Sequence, residues 1–154
     1  MSVRLGRLAR LVRDDRRGSA AIEFAIVAPL LVLLAAGTLE LGSAVVQKME
    51  VQDAAAAGAL YATENGWDQA GIAAAVAAAK PGKGVSASPA PALYCGCPTA
   101  AGVTTTATCT VACADGSPAR KYVRVSAATT RNSFLATRLP LPQTIAASTV
   151  ASVR

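Results

Sequence analysis

The N-terminal third of the chain is dominated by one long apolar run. Residues 20–46 contain only two charged side chains, Glu23 and Glu40. An α-helix rises about 1.5 Å per residue, so about 20 apolar residues cross the hydrocarbon core of a bilayer. The run is longer than that, and leucine, isoleucine and valine occupy every side of it. We therefore predict a single membrane-spanning helix over residues 19–46.

Beyond residue 46 the pattern stays helical and becomes amphipathic. Larger apolar residues recur at helical spacing and share one face: Val46, Met49, Ala56 or Ala57, and Leu60. No strong breaker follows until Gly66, which can supply the left-handed residue that ends a helix. Residues 19–63 are therefore predicted to form one helix, whose stalk portion, residues 47–64, lies outside the membrane.

The remaining pattern predicts a short helix followed by strands. Asp68 caps a second helix over residues 68–80, and a Pro/Gly/Ser/Ala linker spans residues 81–92. Residues 93–154 are β-rich. Their strands are predicted from β-branched or alternating residues at 103–111, 121–127 and 144–153. The fold class is α+β: a long N-terminal helix, a second short helix and a small antiparallel sheet.

Composition and charge narrow the function. The 154 residues are 53% hydrophobic but only 4% aromatic, and histidine is absent. Alanine buries little area per residue, so a large core is not expected. Without histidine, His-based acid/base catalysis and His metal sites are excluded. No catalytic constellation is found, which predicts a protein that is not an enzyme and has no cofactor.

The net charge of +6 is concentrated at the N-terminus. Six arginines precede the apolar run: Arg4, Arg7, Arg10, Arg13, Arg16 and Arg17. No aromatic side chains alternate with them as stacking platforms, so nucleic acid is not a predicted partner. The positive-inside rule places residues 1–18, a basic leader, in the cytoplasm and residues 47–154 in the periplasm.

Glu23 and Pro29 are unusual residues for this part of the run. A carboxylate near the hydrocarbon costs about 2–3 kcal/mol, so Glu23 requires either interfacial water, a nearby arginine or another cation. If the chain were cut between Gly18 and Ser19, the new amino group would lie about one helical turn from Glu23. Pro29 lacks an amide N–H and is predicted to kink the helix.

These residues form a pattern that resembles a known processing signal. A basic residue, Gly18, Ser19, Glu23 and then the aromatic Phe24 are similar to the cleavage site of class III signal peptides in type IV pilins and pseudopilins. Within that group, residues 16–42 resemble the TadE-like minor pilins and pseudopilins of tight-adherence (Flp, type IVc) pilus systems. The match is loose beyond residue 42, where only the layout agrees.

The resemblance implies that the protein is processed and assembled, and it implies a set of partners. A prepilin peptidase would cleave after Gly18, and Glu23 and Phe24 would act in assembly, with Glu23 as partner of the new N-terminal amine. Other pilins or pseudopilins would bind through the N-terminal helix, beside membrane lipid and the inner-membrane assembly platform. The implied location is the bacterial inner membrane, crossed once, with incorporation into an extracellular pilus left open.

Four cysteines lie in the β-rich region: Cys95, Cys97, Cys109 and Cys113. The periplasm permits disulfides, and four cysteines allow three connectivities. A ring between Cys95 and Cys97 is disfavoured as too tight. The nested pairing, in which Cys97 joins Cys109 within the other bridge, suits a hairpin, and the crossed pairing stays open. A zinc site is the rival interpretation, although the spacing lacks the usual C-x₂-C pairs, and no metal is predicted.

Two further functions remain as alternatives to a pilin. An uncleaved, signal-anchored periplasmic domain that binds a protein or a surface has the same layout. A zinc-binding periplasmic domain is the third. A mature chain that begins at Ser19 distinguishes the pilin from the anchored binding domain, and a free-thiol assay in denaturant tests the zinc-binding domain.

Overall fold

The computed structural model describes residues 17–131 and 143–154 and divides the chain into two units, one ending at Leu41 and one running from Gly42. The helices of the described residues are α1 (Arg17–Asn65) and α2 (Gln69–Ala79). The strands are β1 (Ser86–Ala87), β2 (Ala92–Thr99), β3 (Gly102–Thr106), β4 (Arg120–Thr130) and β5 (Thr144–Val153). The predicted α+β class is confirmed. Residues 1–16 of the predicted leader and residues 132–142 of the β-rich region lie outside the described residues.

Both helices form where the sequence predicts them. α1 is continuous through Pro29 and ends at a glycine. Gly66 has φ of 80°, and its N–H donates to the Ala62 carbonyl at 3.0 Å. This left-handed residue satisfies one of the carbonyls that a helix end leaves free. At the start of α2, the Asp68 carboxylate accepts a hydrogen bond from the Ala70 N–H at 3.1 Å.

The sheet is antiparallel throughout and has β4 at its centre. β5 pairs with β4 along its whole length, from Lys121 opposite Val153 to Thr130 opposite Thr144. β5 therefore occupies one edge of β4 completely. β1 and β2 both pair with the other edge of β4, each with a different part of the strand. β3 pairs with the far side of β2. The strand order across the sheet is β5, β4, β2 and β3. β1 lies on the same edge of β4 as β2 and pairs with β4 alone.

Three strand predictions are corrected by the structure. The predicted linker 81–92 contains β1, which pairs with β4, and its last residue, Ala92, begins β2. β2 was not predicted, because Gly96 and Pro98 are poor strand formers. The strand predicted over 103–111 ends at Thr106, since the chain turns back there toward β2.

The core of the second unit lies between one face of β4 and the two helices. Val123 and Val125 of β4 and Ile72 and Val76 of α2 are fully buried. α1 contributes Val51 and four alanines to this core: Ala54, Ala55, Ala59 and Ala62. A Cβ atom added to Gly58 would lie 2.6 Å from Val76 Cγ2 and 2.9 Å from Val125 Cγ1. The alanine and glycine face of α1 therefore permits a close approach of the three elements.

The face of α1 that the larger apolar residues share is exposed. Met49 and Leu60 are each 59% exposed, and Val46 is 55% exposed. The buried face of α1 consists of Val51 and alanines instead. Larger side chains on the buried face would hold the helix away from β4.

Candidate functional site

The predicted processing and assembly residues lie together at the start of α1. Gly18 and Ser19 are in its first turn, and Glu23 and Phe24 follow about one turn later. Ser19 and Glu23 are four residues apart, a spacing that places them on the same side of a helix. The Glu23 side chain is exposed, and Phe24 is 67% exposed. A cation created at Ser19 would thus arise one turn from this carboxylate.

The segment that follows has the surface of a membrane helix. From Ala20 onward, α1 is long and apolar enough to cross a bilayer, and none of its most apolar window is buried inside the structure. Large apolar side chains are exposed along it: Ile22, Ile26, Leu30, Leu31, Leu33 and Leu34. A helix that is apolar on all sides needs lipid or other apolar helices around it. This surface fits membrane anchoring.

The exposed apolar surface continues on α1 within the second unit. We name Val45, Val46, Met49 and Leu60 the outer stripe, since all four are more than half exposed there. The sequence analysis identified Val46, Met49 and Leu60 as sharing one face of the helix. Alanine and glycine at residues 54, 55, 58, 59 and 62, with helical spacing, were the signal that marked the true buried face.

The four cysteines form two crossed disulfides. Cys95 is bonded to Cys109 and Cys97 to Cys113, with Cα–Cα distances of 5.0 Å and 5.6 Å. The favoured nested pairing is therefore wrong. Thr106 of β3 lies opposite Cys95, and a chain continuing in that direction would move away from Cys97. It turns back instead, so the first cysteine after the turn meets Cys95 and the next one meets Cys97.

The same bridges remove the zinc interpretation. No cysteine of the chain is free. A thiolate zinc site needs deprotonated sulfurs that are not bonded to each other. Within residues 17–131 and 143–154, no group of acidic and sulfur side chains has the arrangement of a metal site.

Residues 107–119, here named the disulfide lobe, contain Cys109 and Cys113 and are bonded through them to Cys95 and Cys97 of β2. The Cys113 N–H donates to the Ser117 carbonyl at 2.7 Å, and the Ala119 N–H donates to the Val111 carbonyl at 2.9 Å. At its tip, the Asp115 carboxylate accepts hydrogen bonds from the Ser117 hydroxyl at 2.7 Å and from its N–H at 3.0 Å. These bonds, the hydroxyl first, hold the pKa of Asp115 below its usual value.

The opposite face of the sheet carries a small aromatic cluster. The rings of Tyr94 and Tyr122 stack with centroids 6.0 Å apart, and the Arg124 guanidinium lies 5.3 Å from the centre of the Tyr94 ring. Tyr122 is buried, so its ring face is not available to a nucleobase. The cluster therefore contributes to packing on this face of the sheet.

Comparison with known proteins identifies α1 as the part of the chain that carries the family relationship. The model of the TadE-like protein family matches residues 18–60. The match begins at Gly18, contains Glu23 and Phe24 and ends at Leu60 of the outer stripe. No curated protein and no solved structure matches the chain. Residues 18–60 of the chain are therefore similar to the TadE-like protein family, and this similarity supports an association with a tight-adherence pilus system.

Proposed function

We propose that this protein is a minor pilin or pseudopilin that a prepilin peptidase cuts after Gly18 and that then assembles or primes a tight-adherence pilus. The observation that carries the proposal is the family match, which begins at the glycine of the cleavage pattern. The exposed apolar surface of α1 supports it, because that surface needs a membrane or other helices around it.

Processing requires that a peptidase reach the bond between Gly18 and Ser19. In the described chain, this bond lies in the first turn of α1. Glycine is the weakest helix former after proline, by about 1 kcal/mol relative to alanine, so a single turn at this end is readily unwound. Glycine also lets an enzyme approach the backbone closely. Gly18 thus combines both properties that a cleavage site at a helix start needs.

After cleavage, Ser19 carries a positively charged amino group. Glu23 is one turn away on the same side of α1, within the same subunit or facing a neighbouring one. Pairing with that amine stabilises a carboxylate that is otherwise costly at the membrane edge. The apolar residues of α1 and the outer stripe then pack against other pilins, with the leader cytoplasmic and the second unit periplasmic.

Cleavage is tested by replacing Gly18 with leucine in cells that contain the peptidase. We expect the parent chain to begin at Ser19 and the variant to retain residues 1–18, as measured by intact mass. The matched control is Gly37→Leu, which alters a glycine with no side-chain neighbour in the structure and leaves the cleavage site untouched. A parent chain that begins at Met1 would contradict processing and would support the uncleaved, signal-anchored binding domain.

Assembly is tested by Glu23→Ala. The variant is expected to be cut normally but to be lost from sheared pilus fractions, because the new amine then lacks its partner. Glu64→Ala, which removes an exposed carboxylate near the other end of α1, is the control and should assemble normally. Normal piliation with Glu23→Ala would count against the role assigned to this carboxylate.

A further inference from the structure

The two outer edges of the sheet carry backbone groups that no other strand of the described residues pairs. β5 pairs with β4, and β3 pairs with β2. Directly before β5, the Gln143 carbonyl accepts from the Arg131 N–H at 2.7 Å and so faces β4. Within β5, the Ala146 carbonyl accepts from the Lys48 ammonium and faces outward. Because the direction alternates along an antiparallel strand, the outward backbone groups belong to Thr144, Ala146, Ser148, Val150 and Ser152.

These edges lack most devices that normally prevent strands from pairing between molecules. Exposed edges are usually shielded by charges, prolines or bulges. β5 reads TIAASTVASV and β3 reads GVTTT, without charge or proline in either. Across the described ranges, the shield of β5 is the Lys48 ammonium on one carbonyl. The other outward groups form a template for strand addition.

The order and direction of the strands select the partner. Directions alternate through β5, β4, β2 and β3, so β3 of one copy runs antiparallel to β5 of a second copy that has the same orientation. An antiparallel pair of β5 with β5 would instead require a two-fold axis perpendicular to the sheet. That axis reverses the portion of α1 that packs on β4, so these portions would run in opposite directions in the two copies.

We propose that a second copy of this chain docks its β3 edge on the β5 edge, which extends one antiparallel sheet from subunit to subunit. The contact is head-to-tail and leaves a free edge at each end, so it can repeat. Neither strand is charged, and no like-charge repulsion opposes the pairing. The inference rests on the proposed shared orientation of the α1 helices in one membrane or one pilus.

The size of the contact sets the conditions in which it forms. β3 has 5 residues, so few hydrogen bonds link two copies, and the contact is weak in dilute solution. Anchoring by α1 raises the local concentration of β3 edges around each β5 edge. We therefore expect pairing between chains that share a membrane, and not between detergent-separated chains.

The test places a photoreactive amino acid at Thr105 of the full chain, which is reconstituted in liposomes as a mixture of ¹⁴N- and ¹⁵N-labelled molecules. We expect mixed-isotope cross-links from residue 105 to residues 144–153. Ser148→Pro removes an outward N–H and Val150→Lys adds a charge to the edge, and each should lower the yield at least tenfold. Ala77→Lys, which adds the same charge at an exposed position of α2, should leave the yield unchanged.

Three results would overturn the proposal: cross-links within single chains only, cross-links to another copy's β3, or yields unaffected by both edge variants. Circular dichroism and thiol titration of each variant establish that the disulfide-bonded fold is retained. The outcome is separable from the proposed function. Mixed-isotope cross-links in an uncut precursor would support the edge pairing and contradict the proposed processing. Cut chains without such cross-links would support the processing and contradict the edge pairing.

Discussion

Replacing Gly58 with alanine tests whether this glycine is what brings α1, α2 and β4 together. An added Cβ atom would lie 2.6 Å from Val76 Cγ2 and 2.9 Å from Val125 Cγ1, and both valines are fully buried. Valine side chains have one strongly preferred rotamer and cannot easily turn aside. The added methyl group must therefore push α1 away from the core or force the two valines to shift.

Two opposing effects set the magnitude. Alanine in place of glycine inside a helix stabilises the folded chain by about 1 kcal/mol. Overpacking a well-filled core costs about 1–3 kcal/mol. Because both clashes involve branched and fully buried side chains, we take the upper half of that range. The expected result is a loss of about 1–2 kcal/mol in the free energy of unfolding.

The assay is denaturant unfolding of the disulfide-intact full chain in mild detergent. Trp67, the single tryptophan of the chain, lies between α1 and α2 and reports their docking by its fluorescence. Val76→Ala provides the second arm of a double-mutant cycle, since it frees the space that the new methyl group needs. We expect the double variant to be more stable than the sum of the single effects by about 1 kcal/mol. A Gly58→Ala chain that is more stable than the parent, or additive effects in the cycle, would refute the reasoning.

Further predictions concern the disulfide lobe. Non-reducing peptide mapping should recover the crossed pairs, whereas a peptide joining Cys95 to Cys113 would contradict them. Replacing both cysteines of one bridge with alanine should lower the free energy of unfolding by about 2–4 kcal/mol, and an unchanged denaturation midpoint would argue against a stabilising role. Asp115 has a lowered pKa when folded, so its contribution to stability is present above its unfolded pKa and is lost as the pH falls through the folded one. The amide resonance of Ser117 should follow that titration in NMR spectra and lose it in Asp115→Ala.

The parts of the fold that the sequence predicts well are those determined by local patterns. α1 follows from continuous helical spacing and a glycine at its end, and α2 follows from Asp68 and an alanine-rich run. β4 and β5 follow from β-branched residues, and the bounds of β5 agree with the prediction. In each case, residues that are close in the sequence are enough to predict the element.

The parts that were missed depend on contacts between distant residues. β2 contains Gly96, which local propensity disfavours, yet a Cβ atom there would lie 2.8 Å from the Thr104 carbonyl oxygen. Pairing with β3 and β4 overrides the propensity. The crossed disulfides depend in the same way on a reversal of the chain after Thr106, which the cysteine spacing does not encode.

The candidate site also has a part that local sequence predicts and a part that depends on contacts between distant residues. Gly18, Ser19, Glu23 and Phe24 are nearly contiguous, so the sequence alone is enough to propose them as a site. The exposed outer stripe and the free edges of β3 and β5 became visible only when the sheet order and the buried face of α1 were known.

The alanine and glycine face of α1 has a consequence for how this protein can change through mutation. Adding atoms to the packed face of a helix destabilises the fold, whereas exposed positions tolerate exchange. Here the inner face has no room for growth, whereas the outer stripe can exchange one large aliphatic residue for another without disturbing the head. Sequence changes should therefore accumulate on the surface that we propose to meet other subunits, and partner preference can diverge while the fold stays fixed.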